Sequence, residues 1–461
     1  MRWLLRRCGQ SAVFGNGSSN SFSPSRLGFS EVRRSLVTSC RAVLLQRFGG
    51  PEVLELRDDV GIPDLKPNEV LVRARAVSVN PLDCRMREGY GRSLFEPLLP
   101  LILGRDVSGE VAAVGSTVRS LSIGQEVFGA LHPTAVRGTY VDYAILAEDE
   151  LVRKPESISH VHHISTSAIE VVQNSHASPR LPYIFSSFIW MHFALVFQDE
   201  ASAIPFAALT AWRALRSTAD IKEGYVVMLI ICDYISSLDL QFFITNCTSF
   251  KPKGRAFLLT SGSKNGNKTL DRQRVLVLGG GGAVGFSAIQ LAVAYGCHVC
   301  TTCGSESISR MLEAGAEQAV DYAIENYEVS LKGYFDAVLD TIGVPETERI
   351  GVNVLKRGGH YMTLQGESAS LTDKYGLMIG LPMSTAILLK KQMQYRYSHG
   401  IEYHWTYMRS DDEGLEEIRR LSEAGKLKVP VEKTFPIAQV REAHEAKDKR
   451  LIFGKVVLEL D

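Results

Sequence analysis

Gly280, Gly282 and Gly285 have the one-then-two-residue spacing of a dinucleotide-binding turn, inside the stretch "RVLVLGGGGAVGFSAIQLAVAYGCHV" (274–299). Gly279, Gly282 and Gly285 satisfy a second spacing of the same turn. Missing side chains permit the tight bend, let the backbone approach a pyrophosphate and bring the following helix close to the strand. Ala283 and Val284 then open an amphipathic helix, whose N-terminus offers unpaired N–H donors and partial positive charge to the phosphates. An apolar strand before the glycines and a helix after them turn a weak motif into a specific one.

The second strand of such a unit selects the nucleotide. An NAD site places an acid about twenty residues past the turn, on the ribose hydroxyls. Here the strand ends "CTTCGSES", without charge until Glu306. Ser305 and Ser307 can hydrogen-bond a 2′-phosphate and Arg310, one turn into the next helix, can neutralise it. NADPH is therefore the expected cofactor. Cys297, Cys300 and Cys303 are spaced by three, which on a strand alternates faces, so neighbouring members of the set cannot converge on one metal ion. No metal is expected, and the three read as small buried hydrophobes.

These residues need a scaffold. From Arg274, the segments "RVLVLG", "HVCTTC", "QAVDY", "FDAVLDTIG" and "GHYMTLQG" alternate with helical "AVGFSAIQLAVAYG" and "SISRMLEAGA", the pattern of a doubly wound parallel sheet. Residues 41–154 instead carry short Val-rich segments ("AVLLQRF", "EVLVRARAVSV", "DVSGEVAAVG", "QEVFGA", "TYVDYAILA") between Gly, Pro and Asn turns, which predicts an antiparallel barrel. The C-terminal tail predicts helix, extended segment, helix and a last strand that returns to the first domain. The expected fold class is α/β, a barrel domain plus a Rossmann domain. The expected division is a presequence over 1–39, the barrel domain over 40–161 completed by 395–461, and the nucleotide domain over 200–394.

The chain of 461 residues balances 51 basic against 51 acidic residues, which gives it no global field for nucleic acid. A small-molecule partner is expected. Eight cysteines without paired spacings point to a reducing compartment. Residues 1–40 hold Arg2, Arg6, Arg7, Arg26, Arg33 and Arg34 against Glu31 alone, the composition of an organelle transit peptide. The mitochondrion is favoured over the plastid, with cleavage near Arg33 to Ser39. Two stretches break the plan, 162–199 with "LPYIFSSFIWMHFALVF" and 225–272 with "YVVMLIICDYISSLDLQFFI". Excising them joins "ESISHV" to "EASAIPF" and "DIKEG" to "QRVLVLGGGG", so they read as translated intervening sequence, from retained introns or a gene-model error.

Several motifs in order resemble the medium-chain dehydrogenase/reductase superfamily, specifically its zinc-free quinone oxidoreductase branch. They are "RAVLLQRFGGPEVLEL", "VSVNPLDCRMREGYG", "LGRDVSGEVAAVG", "LTAWRAL", the glycine turn and "FDAVLDTIG". Within that branch the chain is most similar to the group of mitochondrial reticulon-4-interacting proteins. The resemblance implies a GroES-like catalytic barrel completed by the C-terminal segment, a Rossmann domain, and a cleft between them. It also implies site residues. Asn80 would orient the nicotinamide or the acceptor, Thr210 would contact the carboxamide, Tyr90 would donate a proton, and Tyr322 would pack by the adenosine ribose. Asp340, Thr341 and Gly343 would line the cofactor groove, and Leu364, Gly366 and the "IFGK" segment with Phe453 would close it. Asp106 reads as structural, satisfying backbone donors between barrel and cleft.

Where zinc alcohol dehydrogenases carry metal ligands, this sequence has Pro81 and Leu82 before Asp83, and Gly104, Arg105 and Asp106. Arginine is permanently cationic and cannot ligate a metal. Hydride must therefore go to an acceptor that needs little electrophilic help, a quinone or an activated enone. An enoyl-thioester reductase and a non-catalytic NADPH-binding scaffold are the other functions that fit. The resemblance further implies a homodimer, and peripheral association with the mitochondrial membrane is expected.

Overall fold

The computed structural model describes residues 39–159, 201–221, 273–323, 328, 333–449 and 454–460. The presequence to residue 38, both atypical stretches and Phe453 lie outside the described residues.

The first half contains β1 (Ser39–Leu45), β2 (Leu54–Gly61) and β3 (Glu69–Val79), then the short helices α1 (Pro81–Arg87) and α2 (Arg92–Phe95). It continues through β4 (Leu101–Ile102), β5 (Asp106–Val114), β6 (Glu126–Ala130), β7 (Tyr143–Ala147) and β8 (Leu151–Arg153). Ser39 already pairs with Gly61 in β1, so the folded unit begins one residue inside the expected presequence. Helix α3 (Pro205–Trp212) starts with proline, whose fixed φ and missing N–H suit a first helical turn.

The nucleotide half contains β9 (Arg274–Leu278), α4 (Ala283–Ala294), β10 (His298–Cys303), α5 (Ile308–Glu313), β11 (Gln318–Asp321) and β12 (Phe335–Asp340). It ends with α6 (Pro345–Asn353), β13 (Leu355–Thr363), α7 (Ser368–Tyr375), α8 (Leu377–Ser398) and β14 (Glu402–Trp405). Its six strands are ordered β11-β10-β9-β12-β13-β14 and every pairing is parallel. The strand order reverses between β9 and β12, and in such sheets the crevice at that point, beyond the carboxyl ends of the strands, is where a ligand binds. Val275, Leu276, Val277 and Leu278 are all buried, as a strand covered on both faces requires.

The tail contributes α9 (Asp412–Glu423), β15 (Val431–Pro436), α10 (Val440–Asp448) and β16 (Lys455–Glu459). β16 pairs antiparallel with β3, completing a sheet ordered β15-β16-β3-β5-β6-β8. One expected boundary needs correction: the return to the barrel does not begin at residue 395. β14 pairs with β13, so 395–405 stays with the nucleotide sheet. Its "EYHW" has too few residues for a period-2 pattern to show, and β13 alone gives it a place.

Candidate active site

The glycines occupy the bend from β9 into α4, and each has its own reason to lack a side chain. Gly279 has φ +86, and a Cβ there would meet Thr341 Oγ1 at 2.5 Å. A Cβ on Gly280 would lie 2.2 Å from Thr301 Oγ1, and one on Gly285 would lie 2.4 Å from the Gly279 carbonyl oxygen. Gly282, by contrast, has nothing nearer than 3.9 Å. The turn is therefore closed on its protein side and open in front of Gly282. The N–H groups of Gly279 and Gly280 both donate to the Thr302 carbonyl, at 3.1 and 2.9 Å. Gly282 supplies no side-chain cap to α4, whose first turn holds no acid. The amides of Ala283 and Val284, at the first two helical positions, have no acceptor within the helix. A cradle that a Cβ would fill, in front of an uncapped helix N-terminus, fits a dinucleotide pyrophosphate.

The residues expected at the adenosine end lie at the carboxyl edge of β10 and β11. Ser305 is exposed after Gly304, and Tyr322 is 63% exposed at the end of β11. The Tyr322 ring comes within 4.0 Å of a Cβ built on Gly304, so these residues share one rim. Arg310 is half-buried one turn into α5. The cysteines stand apart from this rim. Cys297 and Cys303 belong to the core under α4, while Cys300 belongs to the opposite core with Leu276 and Val338. Burial pushes the thiols of Cys297 and Cys300 up to about 11, which keeps them protonated.

Thr341 ties β12 to the turn, its Oγ1 donating toward the carbonyls of Leu278 at 2.9 Å and Gly279 at 3.1 Å. Leu364 is half-buried against the core at the end of β13. Asp340 departs from expectation. It is fully buried, and its carboxylate accepts from Ile342 N, Gly343 N, Thr347 Oγ1 and Tyr361 OH at 2.6–2.9 Å. Four donors fill a carboxylate's capacity. Its side chain therefore shapes the loop after β12 and does not line the groove.

The barrel contributes a buried polar cluster. Asn80 caps α1 by position, but its side chain points elsewhere: Nδ2 donates to Asp106 Oδ2 at 2.9 Å, and Lys455 Nζ donates to Oδ1 at 2.7 Å. Lys455 also donates to Asp106 Oδ2 at 2.7 Å and to Ser78 Oγ at 2.8 Å, with side-chain exposures of 1% for Lys455 and 0% for Asp106. The second carboxylate oxygen of Asp106 accepts from the backbone N–H of Phe206 at 2.6 Å. Asp106 thus satisfies a backbone donor at the start of α3 and holds the charge of Lys455. Thr210 lies one turn further on α3, 5% exposed, and its hydroxyl donates to the Phe206 carbonyl at 2.7 Å. Only its lone pairs remain for a ligand.

Beside this cluster, Asp83 accepts from the N–H groups of Asn80 at 2.8 Å and Gly104 at 3.0 Å. Arg105, 1% exposed, donates to the carbonyls of Gly104, Pro133 and Ala135. Burial pushes the Asp83 carboxyl up and the Arg105 guanidinium down, and the opposite charge of each offsets part of that shift. Tyr90 sits half-buried on the loop after α1, with the Arg85 guanidinium 4.3 Å from its ring centroid. Arg85 also donates to Gln365 Oε1 at 3.1 Å, a link from α1 to the segment after β13. A cavity of about 920 Å³ lies elsewhere, between β8 and α9, lined by charged residues such as Arg153, Asp412 and Arg419.

Two family models match this chain. One is described as the alcohol dehydrogenase GroES-like domain, over residues 66–156, and the other as zinc-binding dehydrogenase, over residues 314–458. The chain belongs to the medium-chain dehydrogenase/reductase superfamily. Among its relatives, the mitochondrial NAD(P)H oxidoreductase RTN4IP1 of Danio rerio is 28% identical over 449 residues, covering 94% of this chain and 93% of the relative. The quinone oxidoreductase of Homo sapiens is 25% identical over 418 residues, covering 88% and 93%. The solved quinone oxidoreductase of Coxiella burnetii superposes with a TM-score of 0.62 at 22% identity, covering 92% of this chain and all (100%) of that one, which establishes the shared fold.

Sequence reasoning about this superfamily member missed two site features. Lys455 was legible only as part of a closing segment, although a lysine leading the apolar run "KVVLEL" signals a buried cation in need of an acid. Gln365 carries no sequence signal, since only the folded distance to Arg85 reveals it.

Proposed function

We propose that this chain is a mitochondrial NADPH-dependent oxidoreductase that reduces a quinone or a related activated enone without a metal ion. The observation that carries this reading is the open glycine cradle before an uncapped helix, followed by a second strand that ends without an acid. The names of the relatives, NAD(P)H oxidoreductase and quinone oxidoreductase, support the reaction class and the compartment.

In this reading the amides of Ala283 and Val284 hold the pyrophosphate, Ser305 and Arg310 hold the 2′-phosphate, and Tyr322 covers the ribose. Glu306 stands exposed past the strand end, where water screens it. When bound, the cofactor supplies the hydride. Thr210 offers a lone pair to a carboxamide N–H, since its own proton is committed to Phe206. Thr341 and Leu364 bound the groove. Asn80, held at both ends by Asp106 and Lys455, presents its remaining N–H to the nicotinamide or to the acceptor. Tyr90 gives a proton to the acceptor oxygen as hydride arrives, and solvent at this half-exposed loop restores it. Arg105 fills a position where a zinc enzyme needs a ligand, and a guanidinium fixed on three carbonyls cannot take that role.

The test is steady-state oxidation of NADPH with a short-chain quinone, with and without a zinc chelator. Turnover insensitive to the chelator, with kcat lowered at least about tenfold in Tyr90→Phe and NADPH affinity unchanged, is expected. NADPH binding without oxidation by any quinone or enone would make the chain a scaffold instead.

A further inference from the structure

Helices α7 and α8 form a hairpin with an exposed apolar face. Met378 is 79% exposed and Tyr397 83%, and Ile379, Leu381, Leu389 and Met393 are exposed between them. Burying this many large apolar groups is favourable by more than scattered surface residues explain, and contiguous exposed patches of this kind mark interaction sites. The hairpin is rigidly placed. Gly380 packs so closely that a Cβ would meet the Thr372 backbone at 2.4 Å. Asp373 accepts from the N–H groups of Gly91 at 2.8 Å and Ser93 at 3.0 Å, and Ser93 Oγ donates to the Thr372 carbonyl at 2.6 Å. The apolar face is thus bolted to the loop that carries Tyr90.

Charge identifies the occupant. From Lys374 to Ile401 the sequence has Lys374, Lys390, Lys391 and Arg396 and not one acid, in a chain whose charges balance overall. Lys391 is answered by Glu348 at 2.9 Å and Arg396 by Glu402 at 3.0 Å, which leaves Lys374 and Lys390 exposed on the patch. A twofold contact between copies would set this patch against itself and bring like charges together with no acid in the segment to answer them. A bilayer surface containing anionic lipid accepts both features, apolar side chains at the acyl boundary and ammonium groups among the headgroups. None of the described helices is long and apolar enough to cross a membrane, so the contact is interfacial.

We propose that the exposed face of α8 docks on a bilayer surface containing anionic lipid, with the Tyr90 loop beside the contact. The proposal stands apart from the acceptor reading, because vesicle binding is read without turnover. The experiment is co-flotation of the full chain with phosphatidylcholine vesicles, with and without cardiolipin. Basic residues near the N-terminus also attract such vesicles, so each result is read as a ratio of variant to parent chain. Two variants are compared, Met378→Glu with Leu389→Glu, and Lys374→Gln with Lys390→Gln, each checked for unchanged circular dichroism and melting. The first is expected to lower partitioning at least about tenfold. The second is expected to lower it roughly thirtyfold on cardiolipin vesicles and not on neutral ones. Partitioning equal to the parent in both variants overturns the proposal. So does conversion of a dimer to a monomer by the first variant with vesicle binding intact, since that assigns the face to a second copy of the chain.

Discussion

Replacing Lys455 by methionine probes the hub of the barrel side of the site. The ammonium has three protons, and all three are used, on Asp106 Oδ2 at 2.7 Å, Asn80 Oδ1 at 2.7 Å and Ser78 Oγ at 2.8 Å. Methionine matches the stem and removes the charge, leaving the Asp106 carboxylate buried with only neutral donors: Ser78, Asn80 and the Phe206 N–H. Removing one partner of a buried pair costs about 3–5 kcal/mol. Asp106→Asn in the same background relieves the stranded charge, so the double variant is expected to lose at least about 2 kcal/mol less than the sum of the two single losses. Scanning calorimetry and chemical denaturation of all four chains measure the cycle. The Asn80 carboxamide also loses the donor that fixes its orientation, and kcat is expected to fall by about 100-fold, as for an ångström of misplacement at the reacting centre. A Lys455→Met chain that loses less than about 1 kcal/mol and keeps its turnover would refute the coupling of the last strand to the site.

Further outcomes follow from the same geometry. Gly285→Ala forces its Cβ against the Gly279 carbonyl, 2.4 Å away, so α4 must move off the turn; NADPH affinity by calorimetric titration is expected to fall at least about tenfold while the fold is retained. Ser305→Asp places a carboxylate where the 2′-phosphate is expected, and should weaken NADPH by about tenfold or more and spare NADH. Asp340→Ala strands Tyr361 OH, Thr347 Oγ1 and two N–H groups, so it should lower stability by about 3 kcal/mol or more and show in the melting temperature. His444 is buried between Arg87 and Tyr140, and burial, with the Arg87 charge, pushes its imidazole down to about 3. The unfolded chain binds this proton below its ordinary value of 6.5 and the folded chain does not until about 3. Stability is therefore lost as pH falls through that window, at about 1.4 kcal/mol per pH unit. In His444→Gln the denaturation slope between pH 6 and 4 should be shallower by about one proton.

The nucleotide half was the more legible part of the sequence. Val275 to Leu278 are continuously apolar and the glycines follow at once, so strand, turn and helix announce one another. The parallel order β11-β10-β9-β12-β13-β14 then follows from alternating strands and helices. β14 and the α7–α8 hairpin were not legible, because α8 runs from an apolar first half into a basic second half and contains Pro382, which hides the 3.6-residue period. In the candidate site, Gly279, Gly280 and Gly285 were readable because their constraint is local. Lys455 and Asp106 lie 349 positions apart, and no spacing rule links them. Asp340 misled because a resemblance places a residue along the chain but does not say which way its side chain turns, and here four protein donors claim it.

The central claim is that this chain holds NADPH at the glycine turn and distinguishes it from NADH at the end of β10. A fluorescence titration of the full chain with each nucleotide tests it directly. NADPH is expected to bind at least about tenfold more tightly than NADH, with the difference collapsing in Ser305→Asp. Equal binding of the two nucleotides, or binding of neither, would contradict it.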